Sequence, residues 1–320
     1  MIKIALDAMG GDNAPSTVVE GAVLAAKASQ GKYTVVLTGP QDPIQSLLSS
    51  LGYTDAGIEI FHAPDIVAMD ESPTTVLKTK PNSGLVACVT LQKMGKVQAS
   101  ISAGNSGAMM AACLMILGRV GHIPRPAIAT VMPAIGKKWV MCDAGANVDE
   151  KPQALVAFGI CGSVYSELMM GRSNPKVGLL NMGEEEKKGT EVLQEAHQLL
   201  KQAPINFIGN VEGRDLLKGE IDVVVTPGYT GNVVLKLMEG FLEYHKALFG
   251  EIDTPAGLQF KTDWDYAHFG GAPLLGIHGT GIITHGRADA RAISNGLDFA
   301  YRLAAAKVSE AVTAKLDQVA

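Results

Sequence analysis

Six short apolar runs in this chain each stop at a turn dense in Gly, Asn and Asp, at Asp7, Gly104, Asp143, Asn181, Gly209 and Gly228. Helix-length stretches lie between them. A run such as residues 2–6, apolar throughout rather than alternating, is the pattern of a strand buried on both faces of a parallel sheet. Strands that alternate with helices build βαβ units, and their crossovers cover both faces of the sheet. The pattern predicts an α/β fold with a doubly wound, mostly parallel, Rossmann-like sheet and helices on both faces. A C-terminal helical segment follows. In such a sheet the turns after successive strands share one edge, where ligands bind.

Taken in order, the strands are expected at 2–6, 33–37, 58–62, 99–102, 127–132, 139–142, 176–180, 205–208, 221–225 and 281–284. Helices are expected up to about 29, then at 42–51, 83–93, from 108, at 152–170, up to about 202, at 233–249 and at 288–316. Residues 63–80 are polar and contain Pro73, which reads as a loop or lid beside the site. Residues 251–265 read as a surface excursion. The whole of 1–320 is taken as one α/β domain.

With 47% hydrophobic and 18% charged residues the chain has a globular composition, and its net charge of −5 argues against a general nucleic-acid binder. Cys88, Cys113, Cys142 and Cys161 have no CxxC spacing and sit in apolar segments, as buried thiols of a reducing compartment do. The first residues lack the charged start, apolar core and cleavage site of a signal peptide. The most apolar segment, 108–117, is about half of a bilayer span and reads as a core helix. A cytoplasmic protein is expected.

The stretch 99–112 shows what the turns offer. A short buried strand passes through Ala103-Gly-Asn-Ser-Gly107 into an apolar helix. The first turn of such a helix has unpaired N–H groups and a partial positive charge, and binds anions. Gly and Asn are also ordinary turn residues, so one such turn means little. Six of them, three with Gly-Asn, predict a donor-lined crevice. Lys78, Lys80, Lys187, Lys188 and Arg214 lie in or near these motifs and suit phosphate or another oxyanion. The commoner fingerprints are missing: no Gly-x-Gly-x-x-Gly after the first strand, no Gly-x4-Gly-Lys-Ser/Thr, no Gly-x-Ser-x-Gly elbow. No His-Glu-x-x-His occurs and the histidines are scattered, so neither a cofactor nor a metal is expected.

The chain resembles the phosphate acyltransferase (PlsX) family nearly end to end. The resemblance rests on eight ordered motifs: Asp7-Ala-Met-Gly-Gly-Asp12, Ser102-Ala-Gly-Asn-Ser-Gly107, Gly121-His-Ile-Pro-Arg-Pro126, Asp143-Ala-Gly-Ala-Asn147, Gly178-Leu-Leu-Asn-Met-Gly-Glu184, Gly209-Asn-Val-Glu-Gly213, Thr230-Gly-Asn-Val-Val-Leu-Lys236 and Gly270-Gly-Ala-Pro-Leu-Leu-Gly276. It implies a sheet of the isocitrate/isopropylmalate dehydrogenase kind and a homodimer. It also implies an activity: inorganic phosphate attacks acyl-[acyl carrier protein] to give acyl phosphate. The product would feed glycerol-3-phosphate acylation in phospholipid synthesis, through a downstream membrane acyltransferase that uses acyl phosphate. Two departures stand out. Pro227 occupies the place where the family's turn carries a carboxylate. The segment between Glu239-Gly240 and Gly270-Gly271 is short and charged, where relatives have a longer apolar hairpin that some use to touch the inner face of the membrane.

The implied chemistry asks little of acids and bases. Phosphate is already anionic at neutral pH, and a thiolate of pKa about 8.5 leaves readily. Holding phosphate and stabilising the tetrahedral oxyanion remain. On this reading phosphate is held at Gly104, Ser106 and Gly107, with Asn105 as side-chain donor and Lys78 or Lys80 as counter-charge. Asp7, Gly10, Gly11, Lys188, Arg214, Thr230 and Gly231 complete the binding set. The oxyanion faces Asn147 or Asn232, Asp12 and Asp143 orient these donors, and His285 protonates the leaving sulfur. Met109 to Met115 is a candidate lining for the acyl chain. Arg119, Arg125, Lys137, Lys138, Arg287 and Arg291 are candidates for docking an acidic carrier. Two other readings use the same residues: a short-chain phosphotransacylase acting on acyl-CoA, and a non-catalytic phospho-ligand or acyl-binding protein.

Overall fold

A computed structural model describes residues 1–121, 123–250, 254, 257, 262 and 270–318. The chain divides into two compact units, Met1–Gly118 with Tyr266–Glu310, and Arg119–Asp265 with Ala311–Ala320.

The first unit is built on β1 (Ile2–Asp7), β2 (Tyr33–Gly39), β3 (Ile58–His62) and β4 (Ala99–Ser102), followed after the second unit by β10 (Ala272–Leu275) and β11 (Thr280–Ile283). Their order is β3-β2-β1-β4-β11-β10, parallel throughout except for β10. Every residue of β2 is buried, as a strand covered on both faces requires. Alternation along the strands sends successive side chains to opposite faces. Ala5 and Val36 pack on Cys88 and Leu91 of helix α4 (Gly84–Lys93), while the neighbouring Ile101 meets α9 (Ala290–Ala305) at Gly296. Gly21 of α1 (Ser16–Ser29) lets that helix approach α9 closely, since a Cβ there would lie 2.5 Å from Ile293 Cβ.

In the second unit the order is β5 (Ala127–Ala134), β6 (Lys137–Cys142), β9 (Val223–Val225), β7 (Lys176–Leu180) and β8 (Asn206–Val211). The β5–β6 pair is antiparallel and the rest are parallel. Helix α6 (Pro152–Met170) lies on the face of Val223 and Val225, where Gly162 and Gly159 make room for it. Val224 points the other way into a core with Trp139, Met141 and Leu180, covered by Val234, Leu235 and Met238 of helix α8 (Gly228–Phe249). Among the described residues one helix, α6, is long and apolar enough to cross a membrane, and 72% of its apolar window is buried inside the fold. All four cysteines are free and buried.

Both units show the doubly wound, mostly parallel architecture that the apolar runs predict. Four details differ. The 63–80 stretch is not all loop: Pro73 starts a short helix, α3 (Pro73–Thr79), from the first helical position it favours. Gly209-Asn210 does not end a strand but lies inside β8, at a bulge where Gly178 of β7 pairs with Gly209 and Ile208 is skipped. Helix α8 begins at Gly228, so the Gly-Tyr-Thr-Gly-Asn stretch is helix rather than turn. The C-terminal helix is two, α9 and α10 (Val308–Leu316), broken where Lys307 adopts φ 53°. The 251–265 excursion lies almost wholly outside the described residues.

Candidate active site

Each unit carries a buried aspartate at the end of a strand, enclosed by glycines and turned to a different use.

In the first unit, Asp7 ends β1 with its carboxyl buried. Oδ2 accepts the Ser102 hydroxyl at 2.8 Å, and Ser102 Oγ in turn accepts the Gly104 N–H at 3.0 Å. Oδ1 accepts the Met9 N–H at 3.3 Å. A Cβ on Gly10 would fall 2.7 Å from Asp7 Oδ2, and one on Gly84 equally close to Oδ1, so both glycines are needed for the carboxyl to fit. Burial pushes the Asp7 carboxyl up to about 6, against the pull of the Ser102 and Met9 bonds.

The Ser102–Gly104 link sets the start of helix α5 (Ser106–Ala112), which continues into a π-turn, Cys113–Leu117. Asn105 is its cap: Oδ1 accepts the Ala108 N–H at 2.9 Å. Its amide nitrogen is aimed at the carbonyls of Met69 (3.0 Å), Glu71 (2.8 Å) and Ala68 (3.4 Å). Both ends of Asn105 are therefore engaged within the chain, where the sequence reading expects a side-chain donor to phosphate. Lys80 is likewise committed, to the Ile66 carbonyl at 2.7 Å and to an ion pair with Glu71. That ion pair and the Ala68 N–H hold the Glu71 carboxyl below its usual range. Lys80 is thus a strut of the 66–71 segment, while Lys78 is exposed. Exposed Asp12 donates its N–H to Gly286 O at 2.8 Å, and Met69 Cε lies near that glycine too. His285 follows β11, and its Nδ1 accepts the Arg287 N–H at 3.1 Å. Gly11, at φ 116°, is in a conformation that favours glycine.

In the second unit, Asp143 follows β6 and is fully buried. Oδ1 accepts the N–H groups of Ile128, Gly145 and Ala146 at 2.9, 3.2 and 3.1 Å. Oδ2 accepts the N–H and the side-chain amide of Asn147 at 2.9 and 2.8 Å. Burial raises the Asp143 carboxyl, and these bonds oppose it. The Asn147 amide also donates to Pro126 O at 3.0 Å. Both its hydrogens are used, so Asn147 is a clasp on the loop and not an open oxyanion donor.

Helix α8 rests on this loop. Cβ atoms on Gly228 and Gly231 would lie 2.4 Å from Asp143 Oδ2 and 1.9 Å from Asp143 O. Asn232, in the second turn, is exposed and its side chain makes no hydrogen bond among the described residues, and Thr230 is half-exposed. Asn181 caps the loop after β7 by donating to Lys188 O at 3.0 Å. The Lys188 side chain is exposed, and exposed Arg214 pairs with Glu212 at 2.8 Å and Glu184 at 3.5 Å. Among the described residues no cluster of three or more His, Cys, Asp or Glu is placed to hold a metal.

Three contributors escaped the sequence pattern. Ser102 bridges Asp7 to the turn, Glu71 anchors the 66–71 segment, and Glu150 accepts the Gly228 N–H at 2.7 Å. Ser102 ends a buried strand and the two glutamates stand in polar stretches, and only the path of the chain shows their partners.

Comparison with known proteins decides the family. Residues 2–311 match the family described as "Fatty acid synthesis protein". The phosphate acyltransferase of Syntrophotalea carbinolica is 45% identical, over 98% of this chain and 94% of that protein. That of Pelotomaculum thermopropionicum is 43% identical, over 99% and 96%. The chain belongs to the phosphate acyltransferase family. Its fold is shared with proteins of lower identity: a phosphotransacetylase from Streptococcus pyogenes (TM-score 0.67, 18% identical, 97% of this chain and 94% of that one) and a branched-chain phosphotransacylase from Enterococcus faecalis (0.59, 16%, 95% and 99%). The chain is thus an enzyme of acyl transfer.

Proposed function

We propose that this phosphate acyltransferase takes its acyl group from acyl-[acyl carrier protein] and passes it to inorganic phosphate. A phosphate oxygen forms a bond to the thioester carbonyl carbon, and the C–O π electrons move to oxygen. Collapse of that oxyanion expels the pantetheine thiolate and leaves acyl phosphate. The observation that carries the reading is the state of the strand ends, where buried carboxylates are spent on ordering N–H-rich turns. Catalysis then rests on positioning and on preorganised donors, which suits an anionic nucleophile and a good leaving group.

The groups left open differ from those the sequence favours. In the first unit they are the N–H groups of Ser106 and Gly107 at the start of α5, with Lys78 as the exposed cation; His285, whose Nδ1 accepts the Arg287 N–H, is the candidate to protonate the leaving sulfur through its other ring nitrogen. In the second they are Asn232, Thr230 and Lys188. Asp7, Asp143, Asn105 and Asn147 hold these groups in place. For the carrier, the exposed Arg125, Arg287 and Arg291 and the half-exposed Lys138 are candidates by charge and exposure. Lys137 is drawn into an ion pair with Asp222 at 3.0 Å, and Arg119 donates to Pro124 O at 2.6 Å. A homodimer is supported by α8, where Val233, Leu237, Tyr244 and Leu248 are exposed at spacings that place them along one face. A cytoplasmic enzyme, peripheral at the inner membrane face where its product is consumed, fits this reading.

Parallel assays with a long-chain acyl carrier protein and the matching acyl-CoA, each with and without phosphate, test the donor. Phosphate-dependent thiol release is expected with both, with kcat/KM at least about tenfold higher for the carrier, and its KM should rise with salt. Preference for acyl-CoA would turn the assignment towards a phosphotransacylase of the other type.

A further inference from the structure

Helix α8 starts without a cap of its own. Its cap position is Pro227, at φ −54° and ψ 140°, whose ring has neither an N–H nor an acceptor in its side chain. A cap residue in this extended conformation ordinarily offers Ser, Thr, Asp or Asn oxygen to a first-turn N–H. Here the oxygen comes from another loop. Glu150, buried two residues before α6, places Oε1 at 2.7 Å from the Gly228 nitrogen. Its carboxylate thereby faces the positive end of a 22-residue helix. Gly228 cannot shift freely to meet another partner, because it is packed against Asp143 Oδ2 and Asn147 O.

We infer that Glu150 is a positioning residue for acyl transfer: it supplies in trans the carboxylate cap that Pro227 cannot, and so fixes the first turn of α8. The Gly231 N–H is taken by Pro227 O at 2.8 Å. With Gly228 satisfied by Glu150, the first-turn donors that have no carbonyl one turn back are those of Tyr229 and Thr230. Asn232 follows on the next turn. Glu150 thus decides where the open donors of the second unit point. The inference rests on the reading that α8 presents donors to phosphate or to the oxyanion.

The test uses Glu150→Ala and Glu150→Gln, each with kcat and KM for phosphate determined separately. Glu150→Ala is expected to raise KM for phosphate and lower kcat/KM by about tenfold or more, with the circular dichroism spectrum unchanged. Glu150→Gln keeps an oxygen acceptor for the Gly228 N–H and should stay within about threefold of wild type. The inference is overturned if Glu150→Ala matches wild type, or if Glu150→Gln is as impaired as Glu150→Ala. Should Glu150→Ala not fold, a folded Glu150→Gln with KM for phosphate within about threefold of wild type upholds the inference, and one with KM raised about tenfold or more overturns it. Wild-type protein that releases no thiol with phosphate would instead overturn the reading of the reaction, whatever the variants do.

Discussion

Asp7 and Asp143 occupy matching places in the two units, each at the end of a β-strand, each buried and each crowded by glycine, yet their surroundings differ in kind. Asp143 accepts five hydrogen bonds from Ile128, Gly145, Ala146 and Asn147. Asp7 accepts one good bond from Ser102 and one long bond from Met9. Both carboxyls are raised by burial, but Asp143 is the hub of its loop, whereas Asp7 is a single link in a chain through Ser102 to Gly104. Burial alone therefore does not tell what a carboxylate does. The number of donors it organises does.

The largest expected effect comes from removing the hub. Asp143→Asn puts an amide nitrogen among donors, and unfolding should become easier by about 4 kcal/mol as charged, buried bonds are lost. Urea titration measures it, and a cost below about 1 kcal/mol would erase the contrast with Asp7. Next comes the pH response of Asp7. Its folded pKa, about 6, lies above the ordinary 3.8, so between these values the folded state holds the extra proton. Stability should then fall as pH rises from about 4 to about 6, by as much as about 3 kcal/mol, and Asp7→Asn should lack this part of the slope. A variant with the wild-type slope would place the titration elsewhere.

The smallest effect concerns Asn105. Asn105→Asp keeps the cap on Ala108 but turns a donor into an acceptor facing the carbonyls of 68–71. Asn105→Ala loses both contacts, at a cost of about 1–2 kcal/mol. If Asn105 positions the 68–71 segment rather than touching phosphate, Asn105→Asp should be nearly as impaired in turnover as Asn105→Ala, despite its intact cap. An Asp variant with wild-type kinetics would contradict that role.

How much of this was legible in the sequence follows from the range of each interaction. The sheet was legible because apolar runs and helix-length spacers are local patterns. The glycine turns were legible as crowded places, and Gly10, Gly228 and Gly231 do sit where a Cβ would collide. What an amide points at was not. Asn105 faces carbonyls more than thirty residues away in sequence, and Asn147 faces Pro126, so an Asn in a glycine-containing turn reads the same in sequence whether it is a ligand donor or a loop clasp. Glu150 stands in a charged run, Asp149-Glu-Lys151, that resembles any solvated loop, and only the fold brings it to Gly228. Gly209-Asn210 imitated a strand end because a bulge needs the same residues as a turn.

In the proposed reaction phosphate itself accepts the acyl group. Incubating the enzyme with a long-chain acyl carrier protein and radiolabelled phosphate tests it most directly, with thiol release and label in a hydroxylamine-sensitive, extractable product followed together. Equal amounts of thiol and labelled acyl phosphate, with neither formed when phosphate is omitted, are the predicted result. Thiol release that proceeds without phosphate, or without label in the product, would contradict it.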